Sequence, residues 1–145
     1  MNQPEILIVG AGGMGALFGS ILHENGLKVV LYDTNTEHIS AIQQAGLKIE
    51  GYGGDRTIPI AATSNLSELE SAEIIIFQCK SHGTRQAAKA VRPLITQESV
   101  CISFQNGLGN EEVMAEELGN DFVMGGLTAM AGVLLEPGKI RDFSR

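Results

Sequence analysis

The run Ile6-Leu7-Ile8-Val9-Gly10-Ala11-Gly12-Gly13-Met14-Gly15 carries an apolar segment straight into G-x-G-x-x-G. Three glycines at that spacing, between a strand and a helix, suit the chemistry of holding an anion on bare backbone. Gly10 would allow the tight turn out of the strand, Gly12 would let a pyrophosphate reach the backbone, and Gly15 would let the helix pack closely on the strand. Ala11, Gly13 and Met14 complete the loop, and the free N–H groups and positive dipole end of the helix would face the pyrophosphate. Asp33 closes a second apolar run, Lys28-Val29-Val30-Leu31-Tyr32, and lies 23 positions after Gly10. That is close to the spacing of about 20 residues expected of a carboxylate that takes the hydroxyls of an adenosine ribose. A glycine-rich turn also serves other α/β domains, in which Asp33 would be a helix-capping acid. The agreement of strand, glycines, helix, strand and acid favours a dinucleotide site.

Two polar residues further along could face the same ligand. Lys80, in Phe77-Gln78-Cys79-Lys80-Ser81-His82-Gly83-Thr84, follows a continuous apolar run and stands within reach of a cofactor or a carboxylate substrate. Asn106, in Gln105-Asn106-Gly107-Leu108-Gly109, follows the next such run and could hydrogen-bond a carboxamide or a substrate carbonyl. Singly, a loop lysine is a solvated charge and Asn-Gly is a common turn; at the ends of adjacent strands they form a pair. His82 reads as a surface or capping group at a helix start, and His23 and His38 as structural residues of helices away from the crevice. Cys79 and Cys101 form neither C-x-x-C nor a metal-ligand cluster, and reduced thiols without a metal are expected.

These residues need a scaffold of alternating strands and helices. Met14, Leu17, Phe18, Ile21 and Leu22 share one helical face, and Gly26 would end that helix. A second helix is expected over 36–45, with Gly46 as its stop. Leu47–Glu50 and Thr57–Ala62 read as a hairpin around Gly51-Tyr52-Gly53-Gly54-Asp55, and residues 65–71 as a short helical turn. Glu73–Gln78 has the unbroken apolar character of a buried parallel strand. A helix over 84–91 is limited by Pro93, a strand follows over 99–104, and Asn110 would cap a helix over 111–118. One strand-like stretch runs from Phe122 to about Leu135, and after Pro137-Gly138 another extended piece covers 139–143. The alternation predicts an α/β doubly wound, Rossmann-type, mainly parallel sheet in the order 3-2-1-4-5-6. Its crevice would open between the carboxyl ends of the first and fourth strands.

Bulk properties bound the possibilities. The 145 residues fit one domain, with 43% apolar and 19% charged residues. A formal net charge of −7 disfavours a general nucleic-acid binder. No apolar run approaches the roughly 20 residues of a membrane span, and the amino terminus lacks the zones of a signal peptide. A soluble cytoplasmic protein is expected, with no membrane or nucleic-acid partner.

The chain resembles the ketopantoate reductase (2-dehydropantoate 2-reductase) family. The likeness rests on Gly10–Gly15, on Lys80 with Thr84 four residues on, and on Gln105-Asn106-Gly107-Leu108-Gly109. It extends through Gly125-Gly126-Leu127-Thr128-Ala129-Met130-Ala131 and Pro137-Gly138-Lys139-Ile140, nearly the whole chain. The resemblance implies NADPH-dependent reduction of ketopantoate to pantoate, on the route to pantothenate and coenzyme A. It implies a pyrophosphate on the glycine loop, Lys80 near cofactor and substrate, Asn106 at the nicotinamide side, and the backbone of Thr128–Ala131 lining the cofactor site.

Two departures qualify what the resemblance implies. Family members are about twice this length, their general acid lying in a second, helical domain. The chain is therefore expected to be the cofactor domain, with that substrate domain missing at the carboxyl side, and to bind dinucleotide while turning over ketopantoate poorly. Asp33, with Thr34 and Asn35 next, stands where NADP-using members carry a basic residue, which argues for NAD(H). A non-catalytic dinucleotide-binding module and a dehydrogenase for another hydroxy acid are the alternatives. A methyltransferase using S-adenosylmethionine is disfavoured by Gly15 and by the lack of an acid just before Gly10. Apolar surface around Val133, Leu134, Leu135 and Ile140 is expected to be exposed and to drive homo-oligomer formation.

Overall fold

Four-residue apolar segments form the centre of the fold. In the computed structural model, residues 3–144 are described. The strands are β1 (Ile6–Val9), β2 (Val29–Tyr32), β3 (Leu47–Gly51), β4 (Arg56–Ile58), β5 (Ala61–Thr63), β6 (Ile74–Phe77), β7 (Val100–Ser103), β8 (Val123–Gly125), β9 (Gly132–Glu136) and β10 (Lys139–Asp142). The helices are α1 (Gly13–Glu24), α2 (Thr36–Ala45), α3 (Thr84–Val91) and α4 (Asn110–Leu118). All four residues of β1 are buried, as a strand covered on both faces requires. Successive side chains point to opposite faces. Ile6 and Ile8 therefore pack with Leu17 of α1 and Ile42 of α2, while Leu7 and Val9 pack with Val91 of α3 and Met114 of α4.

Six strands make the main sheet in the order β5-β2-β1-β6-β7-β8, every pairing parallel. Counted along the chain within that sheet, this is the expected 3-2-1-4-5-6. A second sheet, β4-β3-β10-β9, lies on the α1 and α2 side and shares their core through Leu47, Ile49 and Ile140. The β3–β4 hairpin is antiparallel, as its turn residues predict, and β10 joins β3 in parallel and β9 antiparallel. None of the described helices is long and apolar enough to cross a membrane.

Four expectations need correction. The segment 57–62 is not one strand: it divides at Pro59, which has no N–H to give a ladder, so β4 stays in the hairpin while β5 pairs with β2. The stretch 122–135 likewise divides between the sheets, β8 pairing with β7 and β9 with β10. The break falls at Gly125-Gly126, where a Cβ at Gly126 would run into the Phe104 ring. Asn110 does not cap α4; Gly109, at φ +87°, precedes the helix, and Asn110 is its buried first residue. Finally, Ile140 is fully buried, because β10 is an inner strand with β3 and β9 on either side. Val133, Leu134 and Leu135, on the edge strand β9, are exposed as expected.

The helix–strand contact at Gly15 gives a direct test. A Cβ there would overlap the Gly10 carbonyl oxygen and lie 3.1 Å from Ile8 Cγ2, whereas a Cβ at Gly12 would meet nothing among the described residues within 4 Å. Gly15→Ala should therefore cost about 2–4 kcal/mol in urea unfolding, and Gly12→Ala no more than about 1 kcal/mol.

Candidate functional site

The carboxyl ends of β1, β2 and β6 open onto one cavity of about 510 Å³, lined among others by Gly10, Gly12, Asp33, Gln78, Lys80 and His82. Gly10 begins it by leaving β1 at φ +98°, its N–H donating to Tyr32 O at 2.9 Å. A side chain at Gly10 would collide with the backbone of Cys79, so the ends of β1 and β6 touch main chain to main chain. Ala11 is buried, and its N–H donates to Asp33 Oδ2 at 2.7 Å. Gly12 precedes α1 and faces open space, which leaves the first N–H groups of the helix accessible to an anion.

Asp33 does not cap α2. That task falls to Asn35, whose side chain accepts from His38 N–H at 3.1 Å. The Asp33 carboxylate instead ties its own turn to the glycine loop, accepting from Asn35 N–H at 2.9 Å as well as from Ala11. Each carboxylate oxygen has lone pairs beyond these bonds, so ribose hydroxyls could be taken in addition. Burial, with the Asp33 charge adding to it, pushes the Tyr32 phenol above its ordinary range. Burial also raises the Cys79 thiol, again with Asp33 contributing, and burial alone pushes Cys101 up to about 12. Both cysteines are free thiols, and neither is an activated nucleophile.

Lys80 stands exposed on the β6 side of the cavity and joins none of the ion pairs among the described residues. His82 shares that wall and is exposed, as the surface reading expects. The Lys80 and Asn106 loops are tied together. Gln105 Nε2 donates to Cys79 O at 2.7 Å and to Thr84 Oγ1 at 2.8 Å, and the buried Thr84 hydroxyl donates to Asn110 Oδ1 at 3.1 Å. Ser81 Oγ and Asn110 Nδ2 both donate to Asn106 O at 3.0 Å. The Asn106 side chain itself is exposed beside the cavity rather than in its lining.

Of the candidates read from sequence, Gly10, Gly12, Asp33 and Lys80 share the cavity lining. Ala11, Gly13, Met14 and Gly15 form the turn and helix start behind it. Ala131 lies on the far side of the α1 amino end: its neighbour Gly132 donates N–H to Met14 Sδ at 3.1 Å, and a Cβ at Gly13 would lie 2.5 Å from Gly132 O. The clamp of Gln105, Thr84 and Asn110 was not legible as a site. Their positions fall in recognisable motifs, but nothing in the spacing says that one amide spans two loops. Gln78 was missed as well; its Nε2 is buried at the cavity wall without a partner among the described residues. An orphaned donor, bare backbone at Gly12, a carboxylate and an unpaired ammonium fit a ligand carrying phosphate, hydroxyl and carboxylate oxygens.

Comparison with known proteins gives one matching family model. The profile described as ketopantoate reductase PanE/ApbA matches residues 6–144. The 2-dehydropantoate 2-reductase of Pyrococcus abyssi is 36% identical over 94% of this chain and 44% of its own length. That of Lactococcus lactis is 31% identical over 96% of this chain and 45% of its own. The crystal structure of a PanE/ApbA family ketopantoate reductase from Ralstonia eutropha superposes with a TM-score of 0.89 at 29% identity, covering 97% of this chain and 46% of that one. A ternary structure of D-mandelate dehydrogenase with NADH and anilino(oxo)acetate gives 0.86 at 26% identity, covering 96% and 45%. The chain thus spans less than half the length of each of these four relatives.

The two-loop clamp makes its own prediction. Thr84→Val removes the hydroxyl shared by Gln105 and Asn110 and should cost about 1–3 kcal/mol by denaturant unfolding; an unchanged midpoint would contradict the clamp.

Proposed function

This chain belongs to the ketopantoate reductase PanE/ApbA family, and we propose that it is the nicotinamide-dinucleotide-binding part of an oxidoreductase that reduces a 2-oxo acid, ketopantoate to pantoate before others. The observation that carries this reading is that bare backbone at Gly12, the Asp33 carboxylate and the Lys80 ammonium line one cavity. Residues 1–145 are in this reading the cofactor domain, and the general acid belongs to a separate helical substrate domain.

The N–H groups of Gly12, Gly13 and Met14 hold the pyrophosphate, helped by the positive end of the α1 dipole. Asp33 takes the adenosine ribose hydroxyls. The same carboxylate repels a 2′-phosphate, and Thr34 and Asn35 offer no cation to offset it, so NAD(H) is preferred over NADP(H). Asn106 serves the nicotinamide side, and the backbone at Ala131 closes the site beyond the α1 amino end. Lys80 holds the substrate carboxylate or polarises its carbonyl, stabilising charge that develops on oxygen. When bound, the dinucleotide supplies the hydride.

A second reading, a related enzyme for an aryl-substituted 2-oxo acid, is favoured by the likeness to D-mandelate dehydrogenase. Saturation-transfer NMR on the NADH-loaded chain separates the two: contact with ketopantoate favours the first, and contact with benzoylformate alone favours the second.

Parallel titrations with NADH and NADPH at fixed ionic strength test the cofactor assignment. NADH should bind at least about tenfold more tightly, a difference of about 1.4 kcal/mol, and Asp33→Ala should abolish that preference. Tighter binding of NADPH would overturn the assignment to Asp33. Turnover of ketopantoate by the 145-residue chain is expected at background in an NADH-oxidation assay; efficient turnover would show that no second domain is needed.

A further inference from the structure

The cavity wall is set from behind by a residue that never reaches it. His38 lies in the first turns of α2 and is only 1% exposed. One ring nitrogen, Nε2, is 2.8 Å from Ala11 O, and the other, Nδ1, is 2.9 Å from Gly138 N. A backbone N–H can only donate, so Nδ1 must be an unprotonated acceptor. The ring proton is therefore on Nε2, where it is donated to Ala11 O. These two bonds tie the glycine turn to α2 and to the turn between β9 and β10.

Ala11 O and Gly12 N–H belong to the same planar peptide group, and in a trans peptide they point in opposite directions. Holding the carbonyl toward His38 therefore aims the Gly12 N–H the other way. The preceding peptide is fixed too, by the bond from Ala11 N–H to Asp33 Oδ2 at 2.7 Å. We propose that His38 is a positioning residue for anion binding: through the Ala11 carbonyl it sets the direction of the Gly12 N–H at the start of α1. The anion it prepares for is the pyrophosphate of the reading above, on which this inference rests for its ligand but not for its geometry.

Two substitutions separate this role from simple support of the fold. In His38→Gln the side-chain Nε2 can occupy the place of the ring Nε2 and still donate to Ala11 O, while the acceptor for Gly138 is lost. In His38→Asn the side-chain Oδ1 can replace the ring Nδ1 toward Gly138, while the donor to Ala11 is lost. ADP is the probe, with the ¹⁵N–¹H amide shifts of Gly12 and Gly13 measured on the ligand-free chain and stability measured in urea. The Asn variant should bind ADP about tenfold more weakly and displace the Gly12 amide signal of the ligand-free chain, while the Gln variant stays within about threefold of wild type in affinity and keeps that signal near its wild-type position.

Equal losses in both variants, or losses that follow stability alone, would overturn the proposal. If the wild-type chain binds no ADP, the functional reading fails, and the amide-shift comparison still decides the role of His38. If the Asn variant does not fold, the ring ¹⁵N shifts of wild-type His38 decide it: the Nε2–H tautomer is required, and the Nδ1–H tautomer would refute it.

Discussion

At the glycine turn backbone meets backbone with no room for a side chain, and the rest of the site depends on that constraint. A Cβ at Gly10 would enter the Cys79 backbone, one at Gly15 would overlap the Gly10 carbonyl, and one at Gly13 would crowd Gly132. The ends of β1, β6 and β9 thus converge on the first turn of α1 from remote parts of the sequence. Gly12 is the exception, with nothing among the described residues within 4 Å of where its Cβ would be. Close packing on three sides and an opening on the fourth are one arrangement, and they leave the amino end of a helix facing a cavity.

Charge is distributed to the same effect. The chain is acidic, with a formal net charge of −7, yet the ion pairs among the described residues lie on the periphery. Arg56 pairs with Glu24, Arg85 with Glu116 and Glu117, and Glu50 with Lys139 and Arg141, the Lys139 hydrogen bond foremost in holding the Glu50 carboxyl below its usual range. Exposed pairs of this kind contribute little to stability. In the cavity, Asp33 ends β2 and Lys80 follows β6, on either side of β1. Between them Tyr32 and Cys79 remain neutral. One anion and one cation on opposite walls distinguish the two ends of an elongated ligand.

The main sheet and the core of the site were legible because each rests on local signals. Continuous apolar runs mark buried parallel strands, glycine spacing marks the turn, and Asp33 falls at a fixed distance along the chain. What escaped depends on tertiary partners. Pro59 divides a run that alternation alone would keep whole. Ile140 is buried only because two strands flank β10. Gln105 and His38 act through main-chain groups 26 and 27 residues away, and no periodicity encodes such a bond. His38 in particular reads as a structural helix residue from sequence, which is true of its burial and incomplete as to its consequence.

The central claim is that the opening at Gly12, between Asp33 and Lys80, is where a dinucleotide binds. Mapping ¹⁵N amide shifts of this chain on addition of NADH tests it most directly. The largest changes should fall on Gly12, Gly13, Met14 and Asp33, at the carboxyl ends of the strands. Changes confined instead to the cavity at the opposite ends of the strands, around His23, Leu27 and Lys28, or no changes at saturating NADH, would contradict it.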